Sequence, residues 1–263
     1  MGEPVTELEF LSRSKHRIAL LRALCEPCDR GTLRDRTGVS KPTLSRVLRD
    51  FEDRAWVTRT DARYRLTVPG TLVYEGVDAA VRAIETAAKL APLSAWLPDE
   101  RPGFDPAHLH DATVLTTSPA DTFEVHRRLA TLLYEADRVR ELTGTVASSG
   151  IDVHRRAVED HDQTLEVVLT ADALRTIESN SEMARQADAV LAADGVSAFR
   201  YDDAAPYFLA LADERALVGV LDDSGGMRGL VVSEHPKVVD WATTMLDEYR
   251  AAAEEIRSIG TGR

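Results

Sequence analysis

Between residues 40 and 51 the sequence separates into two sets at helical spacing. Leu44, Val47, Leu48 and Phe51 recur as an apolar face, whereas Pro42, Ser45, Arg46 and Arg49 fall on the opposite side. An outward guanidinium can hold a guanine through two parallel hydrogen bonds, worth about 1 to 3 kcal/mol of discrimination, and Arg46 is the side chain best placed for that role. Lys41 and Thr43, close to the start of such a helix, suit phosphate oxygens instead. Downstream, the β-prone stretches Trp56 to Arg59 and Tyr64 to Thr67 flank Thr60-Asp61-Ala62-Arg63, a hairpin signal. Arg59, Arg63 and Arg65 lie on or beside its tip, within reach of an adjacent minor groove or of the backbone. The chemistry these residues could perform together is binding to double-stranded DNA. The competing reading is a solvated basic face on a module used for protein contacts.

Two further groups invite chemistry. Cys25-Glu26-Pro27-Cys28 holds both cysteines, and a C-x-x-C pair of this kind can be redox-active; its alternative is two thiols packed at a helix end. One pair cannot close a zinc site without further ligands such as His16 or a second chain, and His108-x-His110-Asp111 reads more simply as loop residues, so no metal is expected. In the rear of the chain, polar residues at expected strand ends are candidates for a small-molecule crevice: Thr116, Thr117, Ser118, Ser148, Ser149, His154, Arg155 and Arg156. The arginines would suit an anion such as a sugar phosphate. Caps and turns are the plainer explanation of the same residues.

No Gly-x-Ser-x-Gly elbow, Walker loop, Gly-x-Gly-x-x-Gly after a strand or His-Glu-x-x-His motif occurs. A His-x-Lys pair of the phosphodiesterase kind is not expected either, and the chain is read as no enzyme with no cofactor.

These residues need elements to hold them. Glu7 to Leu24 reads as a first helix, Thr32 opens a short second one that Gly38 ends, and Ser40 is a ready N-cap for the third, with Pro42 tolerated in its first turn. With the hairpin as a wing, residues 1–70 are a winged helix-turn-helix. From Gly70 to about Leu90, Val73, Val77, Ala80, Ile84 and Ala87 make a narrow apolar stripe, fit for a two-helix dimer seam or for packing on a local core. A homodimer would place paired half-sites about 34 Å apart. Residues 71–95 are thus a linker helix, and Pro92, Pro98, Pro102 and Pro106 mark a connector.

Residues 96–263 alternate β-prone and helical segments: a strand at Ala112 to Thr117, a helix at Thr122 to Glu141 and a strand at Thr143 to Ala147. Strands follow at Leu165 to Thr170, Val196 to Tyr201, Tyr207 to Ala212, Ala216 to Leu221 and Gly229 to Ser233, with Asp222 to Gly226 as a hairpin turn and Lys237 to Ile259 as a closing helix. The expected fold class is α/β (α+β), a mixed domain behind the winged helix.

The net charge of −12 over 263 residues is split unevenly: residues 1–70 hold 14 Lys and Arg against 10 Asp and Glu, and the remainder 18 against 34. Only the front invites a phosphate backbone. Lysine is confined to Lys15, Lys41, Lys89 and Lys237, and acidic residues outnumber basic ones, a balance suited to a cytoplasm of high salt. With 44% hydrophobic and 29% charged residues, no apolar run of membrane-spanning length and an acidic start, the chain is expected to be cytoplasmic, with no membrane partner.

Phe10-Leu11-Ser12-Arg13-Ser14 through Arg22-Ala23-Leu24, then Leu33-Arg34, Thr37-Gly38-Val39-Ser40 and Tyr64-x-Leu66-Thr67-x-x-Gly70, resemble the winged-helix regulators abundant in haloarchaea. Pro236 to Trp241-Ala242 and the terminal helix resemble the sensor domain of the archaeal filament and methanogenesis regulators. The resemblance implies DNA binding as a dimer, under control of an effector domain whose ligand is unassigned. The reading on these grounds is a transcription regulator sensing a small molecule or a redox change; the alternatives are an enzyme with an appended DNA-binding head and an interaction scaffold.

Overall fold

Leu11 and Leu20 stand about two and a half helical turns apart, on opposite faces of any straight helix, yet both are buried in one core. The computed structural model, which describes residues 3–97, 103–118 and 121–259, resolves this with a break. The single first helix expected from the sequence is two, α1 (Pro4–Ser12) and α2 (Lys15–Ala23), because Ser14 turns extended at φ −151° and lets both leucines point inward.

Two compact units follow the chain, Met1–Ile84 and Glu85–Arg263. In the first, α3 (Arg30–Thr37) is capped by Asp29, whose carboxylate accepts from the Thr32 amide, so it starts before Thr32. Gly38 ends it at φ +65°, in the left-handed region that favours glycine. Then α4 (Lys41–Asp53) begins after Ser40, with Leu44, Val47, Leu48 and Phe51 buried. Strands β1 (Val57–Thr60) and β2 (Arg63–Leu66) pair antiparallel. Asp61 and Ala62, both at positive φ, make the two-residue turn whose twist suits a hairpin. Helix α5 (Val68–Leu90) leaves this wing so tightly that a Cβ on Gly70 would lie 1.9 Å from the Trp56 carbonyl oxygen.

The second unit is built on one mixed sheet. Its strands are β3 (Thr113–Thr116), β4 (Arg138–Thr143), β5 (Thr164–Thr170), β6 (Val196–Tyr201), β7 (Phe208–Ala212), β8 (Arg215–Leu221), β9 (Met227–Ser233) and β10 (Glu254–Ile256), in the order β10-β6-β5-β4-β7-β8-β9-β3. The β4-β5-β6 centre is parallel and every other pairing antiparallel. Crossover helices α6 (Glu124–Glu135), α7 (Ser148–His161), α8 (Ala171–Glu178) and α9 (Ser181–Leu191) cover one face of the sheet, and α10 (Pro236–Ala251) the other. Strand alternation sorts the two cores: Val139, Leu165, Leu169 and Ala210 face α6 to α9, while Leu142, Val168, Leu209 and Leu211 face α10.

Several boundaries in the second unit differ from the sequence reading. The helix drawn to Glu141 stops at Glu135, and Arg138–Thr143 is a central strand rather than Thr143 to Ala147. Ser148 to His161 is helix α7, not a strand-end loop. The closing helix ends at Ala251, and Glu254–Ile256 adds an edge strand to β6. Of the connector prolines, Pro98 and Pro102 lie outside the described residues, and Pro92 and Pro106 each stand in a short 3-10 turn.

Candidate nucleic-acid interface and ligand cavity

Helix α4 turns its apolar side to the first core, which leaves Lys41, Pro42, Arg46 and Arg49 exposed and Thr43 and Ser45 half-buried. The Ser40 hydroxyl donates to Thr43 Oγ1 at 3.0 Å, so the Thr43 side chain helps to close the helix start. On the wing, the register Thr60↔Arg63 and Thr58↔Arg65 puts Arg63 and Arg65 on one exposed face. Arg59 stands opposite Tyr64, on the other face of the hairpin, with its guanidinium carbon 5.6 Å from the Tyr64 ring centroid. The structure thus groups Arg63 with Arg65 and separates Arg59 from them.

The cations of this unit divide into two kinds. Arg13 pairs with Glu9, Arg22 with Asp78, Arg36 with Glu26 and Arg54 with Glu7, and Arg30 donates to the Tyr64 hydroxyl at 2.9 Å. Among the described residues, no side-chain hydrogen bond or ion pair engages Lys41, Arg46, Arg49, Arg63 or Arg65. Lys15 and Arg34 share this state, so the unpaired cations include Lys41, Arg46, Arg49, Arg63 and Arg65 without being confined to them, whereas Arg13, Arg22, Arg30, Arg36 and Arg54 hold the fold.

Both cysteines are free thiols, Cys25 exposed and Cys28 buried. The Cys28 backbone pairs with Tyr64 in both directions, at 3.0 and 2.8 Å, tying the segment before α3 to the wing. Burial pushes the Cys28 thiol above its ordinary pKa, which keeps it in the less reactive protonated form.

In the second unit a cavity of about 1070 Å³ lies between the sheet and helices α6, α7 and α9. Thr117, Ser118, Ser149 and His154 line it. Thr116, Ser148, Arg155 and Arg156 do not: Arg155 is held at 2.5 Å by both Asp152 and Glu159, and Arg156 lies 5.3 Å from the Tyr134 ring centroid. Ser118 is occupied in a turn, its hydroxyl accepting from the Asp121 amide. An anion site at these arginines has no support in this geometry. The walls are mostly Leu, Val, Ile, Ala and Phe.

The polar feature of the cavity is one that sequence reasoning missed. Glu141, 7% exposed, sits on β4 in line with Val139 and Thr143 and so faces the helices. Its Oε2 lies 3.3 Å from His154 Nε2. Behind the imidazole, Gln163 Nε2 donates to the Leu133 and Ala136 carbonyls at 2.6 and 2.8 Å, which fixes Gln163 Oε1 as the acceptor of the His154 Nδ1 proton at 3.1 Å. Burial alone would depress the His154 pKa, but the Glu141 carboxylate outweighs it, with Gln163 assisting, and the net shift is upward. An acidic residue on the inward face of an alternating stretch was the available signal; reading that stretch as helix concealed it.

His108 stacks on His235 with ring centroids 4.6 Å apart, and His110 Nε2 meets Asp111 at 2.7 Å. Among the described residues, no group of three or more His, Cys, Asp or Glu is placed to hold a metal ion. The expectation that His-x-Lys is missing was wrong, since His235-Pro236-Lys237 has that spacing. Here the pair serves as a helix start: His235 is the N-cap of α10, and its Nδ1 accepts from the Lys237 amide at 3.2 Å. No described helix is long and apolar enough to cross a membrane.

Residues 5–89 match the family model of the HVO_A0261 N-terminal domain, and residues 122–252 that of the middle domain of the methanogenesis regulatory protein FilR1. No curated protein matches the chain. Among solved structures, TrmBL2, an archaeal chromatin protein described as showing a novel mode of DNA binding, is 15% identical over 97% of this chain and 100% of its own, with a TM-score of 0.42. Nuc, a phospholipase D family member from Salmonella typhimurium, is 11% identical over 56% of this chain and 99% of its own, with a TM-score of 0.44. NucT from Helicobacter pylori is 6% identical over 55% and 98%, with a TM-score of 0.41. Structural likenesses this low carry no argument about activity. The two family matches, by contrast, take in most of the chain, which therefore belongs to the haloarchaeal regulators that join an HVO_A0261 N-terminal domain to a FilR1-like C-terminal region.

Proposed function

We propose that this regulator binds double-stranded DNA as a homodimer through α4 and the wing, and that its second unit receives a small-molecule effector which changes DNA affinity. The observation that carries the DNA half is that Lys41, Arg46, Arg49, Arg63 and Arg65, all exposed on α4 and the wing, carry no side-chain hydrogen bond or ion pair, while Arg22 and Arg54 are tied into the fold. Arg46 and Arg49, with Ser45 between the core positions, read base edges in the major groove. Lys41 and the wing arginines Arg63 and Arg65 bind phosphates and position the helix. The dimer half draws support from α5, where Val73 and Val77 pack on the first core but Ala80, Ile84 and Ala87 are exposed, Ile84 by 69%. The effector half draws support from the cavity. An effector acts by favouring one of two geometries of the DNA-binding heads, a coupling of typically about 1 to 3 kcal/mol.

The test is selection of a preferred duplex from a randomised pool under high KCl, followed by anisotropy titration of that duplex and a shuffled one. Wild type prefers the selected duplex. Arg46→Ala weakens that binding by about 5- to 150-fold, relaxes the preference at one base pair and leaves the shuffled duplex little changed. A wild-type protein without preference for any duplex would refute the reading.

A further inference from the structure

Resting on the reading of the second unit as an effector domain, we infer that the cavity takes a largely apolar molecule with one hydrogen-bond donor, a hydroxyl or amine, and that this donor is received by the Glu141 carboxylate at the sheet floor. Three observations carry it. The cavity, at about 1070 Å³, is at the upper end of small-molecule sites, and its walls, including Leu133, Ile151, Leu165 and Phe208, are apolar. Of the two carboxylates that line it, Asp222 is taken by Arg228, and Glu141 is more than nine-tenths buried. Its Oε2 is occluded beside His154 Nε2, 3.3 Å away, and no described hydrogen bond reaches Oε1.

A buried carboxylate oxygen without a donor is a costly arrangement for a core and a ready one for a ligand. The direction of the pairing selects among ligands. His154 is committed to Gln163 on one side and faces Glu141 on the other, so the pair offers the cavity an acceptor and not a donor. A carboxylate or phosphate ligand would bring a second acceptor against an acceptor there. The arginines near the cavity do not offset this: Arg127 is paired with Asp121, and Arg228 with Asp222 at 2.6 Å. A hydroxyl or ammonium group donates directly, and an apolar chain fills the remaining space between β5, β6 and the helices.

The probes are decan-1-ol, decylamine, decyl methyl ether and decanoate, matched in chain length, titrated against the full chain by quenching of tryptophan fluorescence, Trp96 being part of the cavity lining. At least one of the two donor probes binds about tenfold or more tighter than the ether, which only accepts, and than decanoate. Glu141→Gln reduces that advantage to below about threefold without changing the affinity for the ether. Ala130→Trp, at a half-buried wall position of α6, removes binding of all four. Should Glu141→Gln fail to fold, as judged by circular dichroism, the double variant Glu141→Leu with His154→Leu, which leaves neither charge behind, must lose the same advantage.

The proposal is overturned if no probe binds wild type, if the ether or decanoate binds as tightly as both donors, or if the preference survives at position 141. Duplex binding measured without probe keeps the two readings apart. Intact duplex selectivity with no probe bound sinks the ligand assignment alone, and donor-selective probe binding with no duplex selectivity sinks the regulator reading alone.

Discussion

Asp78 shows how single side chains in the first unit are committed. Its carboxylate, 12% exposed, takes Arg22 at 2.8 Å from α2 and Arg82 at 2.7 Å from its own helix. Burial would raise its pKa, but the hydrogen bonds from Arg22 and Arg82 outweigh this and hold it below the ordinary carboxylate value. A carboxyl depressed in the folded state adds stability that is present above the unfolded pKa of about 3.9 and lost as pH falls through the folded one. Asp78→Asn is therefore expected to cost about 1 to 2 kcal/mol at pH 7, less than a sealed ion pair because both guanidinium groups are about half exposed, and nothing once pH has fallen below the folded-state pKa. Urea melts of both proteins across that range check it; a difference that persists in acid would mean that packing, not charge, is the contribution. The DNA-contact candidates were legible beforehand because helical spacing alone decides which side of α4 an arginine occupies. Glu141 was not, since its meaning depends on His154 and Gln163, residues from α7 and the loop after it that only the fold brings together.

The same contrast holds for whole elements. Helix α4 and the wing were readable because Ser40, Gly38 and the Asp61-Ala62 turn are local signals whose conformation follows from backbone preference. The break at Ser14 was not, because only the tertiary demand that Leu11 and Leu20 enter one core creates it. Strand β4 was mistaken for helix because Arg138, Arg140 and Glu141 look like a charged helix end. On the far face of the sheet, Arg140 is in fact held by Glu166 at 2.8 Å and Asp247 at 2.7 Å. Helix α5 is half explained by its own unit: Val73 and Val77 are covered, and Ala80 and Ile84 are not. If that exposed run is a dimer seam, the double variant Ala80→Glu with Ile84→Glu places like charges against each other and should shift sedimentation from dimer to monomer. Its circular dichroism should match that of wild type, since neither side chain is buried within the single chain. An unchanged dimer in the variant would locate the seam elsewhere.

Taken over its full length, the sequence follows a mildly basic first segment with a strongly acidic remainder, 14 cationic against 10 anionic residues up to Gly70 and 18 against 34 after it. At about 0.1 M salt, charges interact over about 10 Å, and the acidic remainder opposes the approach of a polyanion; at about 1 M the range contracts to about 3 Å and only groups in contact count. Each phosphate-binding cation, meanwhile, contributes about −0.9 to the slope of log affinity against log salt. The two effects run in opposite directions as salt rises, since screening removes the repulsion while counterion competition weakens the contacts. Affinity for the selected duplex should therefore fall little between about 0.1 and 0.5 M KCl and more steeply above that, with Lys41→Ala shallower than wild type by about 0.9 in the steep region. Arg46→Ala, which loses a base contact, should lower the whole curve and keep its slope. A slope uniform from low to high salt would remove any part for the acidic remainder, and a Lys41→Ala slope equal to that of wild type would show that Lys41 touches no phosphate.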